Sequence, residues 1–541
     1  MTHFDTIIVG AGAAGCVLAN RLSADSSSSV CLIEGGGSDA SPLVKVPAGV
    51  FGLYGNPRYD YSYRGVPQTH LNNRIITLNR GKCLGGSSSI NGMVYVRGNK
   101  NDYDHWVEQG CDGWDYESIL PSFKRTEKNH IGQNPVYHGF EGELDVSLPR
   151  DPNPVARIFV NAANEAGLVC NDDFNAGSQF GLGLYNVNQS NGVRTSSYSA
   201  FIKPVLSRSN LHVLKNARVL KLGIEGSQAK SVYLNTNSGV QILTADRIIL
   251  SAGTVESPRI LLASGIGDRG QLEEIGLHCK HHLPGVGENL QDHIDSMVTV
   301  RSDMPLSMGL SWKTIPQIVT APIRYLINRT GWWTTNYTEA GGFARTHFSE
   351  DAEPGHRDAD PDIQFHFTPI FRSHRGKKFE FGHGYSLFTC LLRPRSRGTI
   401  KLANDGTYLN TLIDHNFFSD EKDQRILIEG VKFARKILST AAFDDIRGIE
   451  MAPGNDIQTD DEILQYLKNT TTTVYHPVGT CKMGRDTWAV TDPDSLQVHG
   501  VDNLYVVDAS IMPTLVSGNT STPTMMIADR AAEMILSKAN Q

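Results

Sequence analysis

One short segment constrains this chain more than any other. Residues 4–9 are apolar and β-branched over strand length, and Gly10, Gly12 and Gly15 follow in G-x-G-x-x-G spacing. Ala13–Leu22 has helical composition, and Val30–Ile33 is a second strand-like run ending on Glu34. Strand, glycine turn, helix and strand in that order predict a βαβ unit, and with it an α/β, Rossmann-like domain that binds a dinucleotide. Each glycine has its reason. Gly10 permits the tight turn, Gly12 lets a pyrophosphate approach the backbone, and Gly15 lets helix and strand pack closely. The helix N-terminus then offers free N–H groups and the positive end of its dipole to the phosphates. Glu34 follows where a carboxylate accepts hydrogen bonds from both ribose hydroxyls, which suits an adenosine without a 2′-phosphate. FAD and NAD both satisfy this motif.

Composition narrows the class of partner. The chain of 541 residues carries 50 Lys+Arg against 57 Asp+Glu, a net charge of −7, which argues against broad nucleic-acid binding. Its 52 glycines imply many positions of positive φ or close backbone approach. Eight cysteines are spread singly, with neither a C-x-x-C pair nor a Cys/His cluster at metal-ligand spacing. That pattern predicts a reducing compartment, no disulfide framework and no metal. No signal peptide and no membrane span are expected, so the cytoplasm is the predicted location, with peripheral contact at the inner membrane left open.

Three further segments belong with the first. Residues 80–104 hold a second Gly/Ser loop, residues 247–267 read as a returning strand, a tight turn and a helix, and residues 504–531 as strand, loop and helix. Pro523 is expected at the first helical position, with Thr522 as its N-cap. Between them, residues 145–200 are rich in Asn, Pro and Ser, and residues 300–465 contain alternating strand-like runs. The stretch 304–338 has no acidic residue but carries Lys313, Arg324 and Arg329 among many apolar side chains. It reads either as a core helix or lid, or as a basic amphipathic surface for a membrane or lipid-soluble partner.

With these segments in hand the sequence resembles the glucose-methanol-choline (GMC) oxidoreductases, most closely the bacterial choline and aliphatic alcohol dehydrogenases. The motifs are GKCLGGSSSIN at residues 81–91, GTVESP at 253–258 continuing to SGIG at 264–267, LPGVGENLQDH at 283–293, EAGGF at 339–343, YHPVGTCKMG at 475–484 and VVDASIMP at 506–513. The resemblance implies an FAD-binding domain built from residues 1–43, 79–144, 201–299 and 466–541. It also implies an α+β substrate-binding domain with an antiparallel sheet, built from 44–78, 145–200 and 300–465. FAD would be non-covalent, because Ile90 stands where relatives with histidine-linked flavin carry the histidine.

By position, Gly10, Gly12, Ala13, Ala14, Gly15, Glu34 and Gly35 would hold the ADP half, with Val219 beside the adenine. Arg80, Gly85, Gly86, Ser87, Asn91, Gly92, Met93 and Val94 would wrap the isoalloxazine and ribityl. Ala252, Gly253, Asp508, Ala509, Pro523 and Thr524 would complete the site. Oxidising an alcohol needs a base for the hydroxyl proton and an acceptor for the hydride, roles a neutral histidine and a flavin fill. The resemblance selects His476, in Y-H-P, from eighteen histidines. Ser521 is taken as its partner, where similar proteins carry Asn or His. Glu339 and Trp333 are the expected substrate contacts. The implied reaction is oxidation of a primary alcohol to an aldehyde, electrons leaving to a quinone, another carrier or oxygen. Choline dehydrogenation, oxygen-reducing alcohol oxidation, a hydroxynitrile lyase with structural FAD and an NAD-dependent dehydrogenase stand as alternatives.

Overall fold

The computed structural model describes residues 2–350, 360–371, 381–406 and 409–539. The expected βαβ unit is present: β1 (Thr2–Val9), α1 (Ala13–Leu22) and β2 (Val30–Ile33). Strand β2 pairs in parallel with β1 on one side and with Leu211–Leu214 on the other. On its far side β1 pairs in parallel with β3 (Gly239–Leu250), and β3 continues into the antiparallel strands Gln228–Thr236 and Arg218–Glu225. Leu504–Val506 adds a seventh, parallel strand against the end of β3. Ile7, Ile8, Cys31, Leu32, Ile248, Ile249 and Leu250 are all inaccessible, as expected of central strands covered on both faces. Helix α1 buries eight of its ten residues. Its close approach depends on Gly15, where a Cβ would stand 1.8 Å from the Gly10 carbonyl oxygen.

A second seven-stranded sheet runs antiparallel in the order Ile449–Ala452, Ile294–Ser302, His383–Leu391, Ile363–Thr368, Ala340–Ala344 and Gly181–Leu184, with Thr472–Thr473 also paired to Ile294–Ser302. Its strands alternate by two. Ile363, Phe365, Phe367 and Leu387 face an apolar core completed by the helix Glu421–Leu438. Asp295, Met297, His366, Thr368 and Phe388, of opposite parity, face a large cavity. One sheet therefore supplies both a core and a cavity wall.

Two expected boundaries do not survive this pairing. Strand Ile294–Ser302 belongs wholly to the second sheet, so a division after residue 299 cuts it, and a division at 466 falls inside the helix Asp460–Thr470. Hydrogen-bond ladders, absent from composition, decide where a segment belongs. The last helix also starts earlier than predicted. It spans Ser521–Ala539, which makes Pro523 its third residue and removes Thr522 as cap. Proline is tolerated there because first-turn N–H groups have no partner four residues back. Among the described residues no helix is long and apolar enough to cross a membrane, and no group of three or more His, Cys, Asp or Glu is placed to hold a metal.

Candidate active site

A cavity of about 1150 Å³ is lined by residues of both sheets and by the loops at the carboxyl ends of β1, β2 and β3. That is where a doubly wound sheet receives a dinucleotide. Gly10 has φ +104°, and a Cβ there would meet the Ser251 carbonyl oxygen at 2.5 Å. Gly12 is different: nothing lies within 4 Å of where its Cβ would be, and it lines the cavity. The first glycine is required by the turn, whereas the second keeps space open for a ligand.

Glu34 is buried and lines the same end. Its Oε2 accepts from the Ala11 N–H at 3.1 Å and its Oε1 from the Gly36 N–H at 2.7 Å. Burial raises its pKa to about 7 against the pull of those two donors. A carboxylate oxygen accepts more than one hydrogen bond, so Glu34 keeps capacity for further donors from a ligand.

In the middle of the cavity the loop 80–94 is braced from several directions. Ser87 Oγ accepts from the Gly81 N–H at 3.1 Å, and Asn91 Oδ1 accepts from Met93 N–H at 3.1 Å and Arg194 Nη1 at 2.8 Å. Gly86 has φ +52°, and a Cβ would lie 2.7 Å from Gly12 Cα, so the two loops approach this closely only with glycine at position 86. Across the cavity, Asp508 Oδ2 accepts from Gly253 N–H and Ser257 Oγ and holds the turn after β3. Ser521 and Thr524, at the start of the last helix α4 (Ser521–Ala539), line the cavity too, and Ser521 Oγ is buried there without a protein partner. An orphan hydroxyl aimed into a dinucleotide-sized space fits a bound cofactor.

At the other end stands His476. Asn519 Nδ2 lies 3.1 Å from His476 Nε2, and His293 Nδ1 lies 3.0 Å from His476 Nδ1. The second nitrogen of His293 sits 2.9 Å from the Leu392 carbonyl oxygen. That oxygen only accepts, so His293 carries its hydrogen on Nε2, and with both rings neutral its Nδ1 accepts from His476 Nδ1–H. The His476 lone pair is thereby assigned to Nε2, where the Asn519 amide meets it. Gln364 Nε2 donates to Asn519 Oδ1 at 3.3 Å and fixes the amide orientation. Burial, with the neighbouring His293, His366 and Arg80, holds His476 well below the usual histidine pKa. The ring is therefore neutral with its acceptor nitrogen at the cavity. Its backbone N–H donates to Asp292 Oδ1 at 2.9 Å, which seats the loop.

Residues 4–295 and 394–528 match the two sequence profiles described as GMC oxidoreductase. The chain belongs to the GMC oxidoreductase family. It is 42% identical over 540 residues to an alcohol dehydrogenase [acceptor] of Pseudomonas putida, covering 99% of this chain and 96% of the relative. It is 37% identical over 541 residues to an oxygen-dependent choline dehydrogenase of Staphylococcus saprophyticus, covering 99% and 95%. Among solved structures it is similar to a pyridoxine 4-oxidase from Mesorbium loti, with TM-score 0.87 and 30% identity over 99% of each chain. It is also similar to a formate oxidase, with TM-score 0.91 and 25% identity over 100% of this chain and 99% of the other.

In this GMC oxidoreductase most sequence-predicted positions meet in the one cavity. Gly10, Gly12, Ala13, Ala14, Glu34, Gly35, Arg80, Gly86, Ser87, Asn91, Gly92, Met93, Val94, Val219, Ala252, Gly253, Asp508, Ala509, Thr524, His476 and Ser521 all line it. Gly15, Gly85 and Pro523 do not. Gly15 serves packing, and Gly85, at φ +90°, donates its N–H to the Ala11 carbonyl.

Three expectations are corrected. Ser521 is not the partner of His476; Asn519 is, because the turn before α4 brings the earlier residue of the G-N-T-S-T-P-T run to the imidazole. Glu339 does not line the large cavity. It is 1% exposed, accepts from Thr335 Oγ1 at 2.5 Å and Asn153 N–H at 2.6 Å, and is absent from the cavity wall. Trp333 lines a separate cavity of about 410 Å³ that shares Tyr337 and Ile370 with the large one. Sequence reasoning passed over His293 and His366. His293 ends the motif at 283–293, and its signal was a histidine directly after the buried carboxylate Asp292. His366 had only its parity on a strand to mark it.

Proposed function

We propose that this protein oxidises a primary alcohol to an aldehyde with His476 as the base, and that the residues lining the cavity divide between cofactor and substrate as described above. FAD, held without a covalent bond, supplies the hydride acceptor; Ile90, buried in the cavity wall, has no nucleophilic atom to link it. The observation that carries the reading is the assigned lone pair on His476 Nε2. A substrate hydroxyl donates there, and His476 takes its proton. The hydroxyl takes the place of the Asn519 amide on that single lone pair, and the displaced Asn519 Nδ2 donates to the substrate oxygen and stabilises negative charge gathering there. His293, anchored on the Leu392 carbonyl, holds the tautomer. The N-terminal turn of α4 favours negative charge at its end of the cavity.

The substrate is an uncharged medium-chain or aromatic alcohol, because Met297, Ile370 and Phe388 form the wall and the Glu339 carboxylate is taken up elsewhere. Asp295, a buried carboxylate on the same wall, favours choline and keeps it as the second reading. Electrons pass to a quinone-like carrier, with oxygen the alternative, and the protein works in the cytoplasm in contact with the inner membrane. An alcohol panel that includes choline, run with an artificial acceptor and with oxygen, tests this. Uncharged alcohols should give the highest kcat/KM and should bleach the oxidised flavin anaerobically. A best substrate of choline overturns the substrate reading, and a flavin that never bleaches leaves a lyase.

A further inference from the structure

Helix α3 (Ile315–Asn328) is apolar and yet almost wholly exposed: Ala321 and Tyr325 are its only buried residues. Val319 is 63% exposed, Leu326 69% and Ile327 72%, and Trp312, one turn before the helix, is 79% exposed with its ring 6.2 Å from that of Phe381. A contiguous apolar surface of this kind marks a place where something docks. The charge around it narrows the choice. No acidic residue occurs between 304 and 338, while Lys313, Arg324 and Arg329 stand along the segment, in a chain whose net charge is −7. Arg324 approaches Asp151 at 3.4 Å and Arg329 lies over the Tyr325 ring, so both heads sit beside the helix at the surface.

We infer that α3 and its flanking tryptophans dock this protein onto an anionic lipid surface, the helix lying in the headgroup plane. At 14 residues the helix is about 21 Å long, too short to span a bilayer of about 30 Å but suited to lying in its interface. Tryptophans at the margin and the exposed Lys313 beside Trp312 match that depth. A second copy of the chain is a poorer occupant, because a two-fold interface sets Lys313 and Arg329 against the same cations of its own copy, and the neighbouring acid, Asp151, is already taken up by Arg324 and the Gly331 N–H. The surface also adjoins the interior: Ile318 of α3 lines the smaller cavity, whose Tyr337 and Ile370 line the large one as well.

This deepens the proposed membrane contact without resting on the alcohol chemistry, and its test is binding. The flavin-loaded protein is sedimented with vesicles of phosphatidylglycerol and phosphatidylcholine, or of phosphatidylcholine alone. Binding should require the anionic lipid and weaken at high salt. The double variant Ile323→Asp with Leu326→Asp should lower the partition coefficient by about 100-fold. Lys313→Glu should lower it by about 5-fold or more. Flavin content and kcat/KM for a short, water-soluble alcohol should stay unchanged in both. If the double variant loses flavin, Trp312→Ala, at a still more exposed position, carries the test. Equal partition of wild type and variants overturns the proposal, as does no vesicle binding by the wild type. A dimer in solution that the double variant dissociates, with no lipid partition, assigns the face to a second copy.

Discussion

The two ends of the cavity are built by different means. At the dinucleotide end the recognising groups are mostly backbone: the Gly10–Gly15 turn, the start of α1 and the Gly86 loop, with Glu34 as the main side chain, all at the rims of a parallel sheet. At the reacting end they are side chains, and they come from four remote places: His293 before a strand of the second sheet, His366 within that sheet, His476 on a loop and Asn519 before α4. Backbone recognition tolerates little change in the atoms that surround it, since an added Cβ displaces main chain. Side-chain recognition tolerates packing changes but depends on proton positions, which one substitution can reverse. Damage at one end should therefore empty the site of cofactor, and damage at the other should leave it full and idle.

The largest effect should sharpen that contrast. His476→Ala is expected to lower kcat by about 10²–10⁴-fold while the flavin spectrum remains, because the base is lost and no part of the dinucleotide end moves. A variant with full kcat would break the mechanism. The pH profile carries the same point with a sign. A base works unprotonated, and His476 is held well below the ordinary value of 6.5, so kcat/KM should persist below pH 6.5 and fall only as pH drops through the depressed value. A fall centred at or above 6.5 would place the lone pair elsewhere.

Next in size is Gly86→Ala. Its Cβ would stand 2.7 Å from Gly12 Cα at φ +52°, so FAD affinity should drop by about tenfold or more, read as flavin released on dilution. Turnover per bound flavin should change little. A fully loaded variant with low kcat would erase the division between the two ends.

A smaller effect separates two neighbours. Asn519→Ala removes the donor that steadies the charge gathering on the substrate oxygen, about 1.5–3 kcal/mol, so kcat/KM should fall by about 10–100-fold. Ser521→Ala, which breaks no protein hydrogen bond, should cost less than about threefold in kcat/KM. The reverse order would restore Ser521 as the partner of the imidazole.

Much of the first sheet could be read from local sequence. The Gly10–Gly15 spacing, β1 and β2 as apolar runs and Glu34 after them needed only neighbours within about ten residues, because turn, strand and helix-cap chemistry is local. His476 could be named through its motif, yet its tautomer could not, since that depends on a carbonyl at Leu392 and an imidazole at His293. Ser521 and Asn519 show the limit most sharply. They are two residues apart and both polar, and the exact path of the turn into α4 decides which meets Nε2. Glu339 is a substrate contact by its motif, and burial against Thr335 and Asn153 makes it a brace.

By itself, the sequence determined that this chain carries a dinucleotide-binding α/β domain, a GMC oxidoreductase's set of motifs, and an apolar, acid-free stretch at 304–338. These are properties of residue type and spacing, which the chain holds before it folds. Only the tertiary structure decided that strand Ile294–Ser302 belongs to the second sheet, that Asn519 and His293 orient His476, that Glu339 points away from the cavity, and that α3 stays uncovered. Each of those depends on contacts between segments tens to hundreds of residues apart, and such contacts exist only once the two sheets have closed around the cavity.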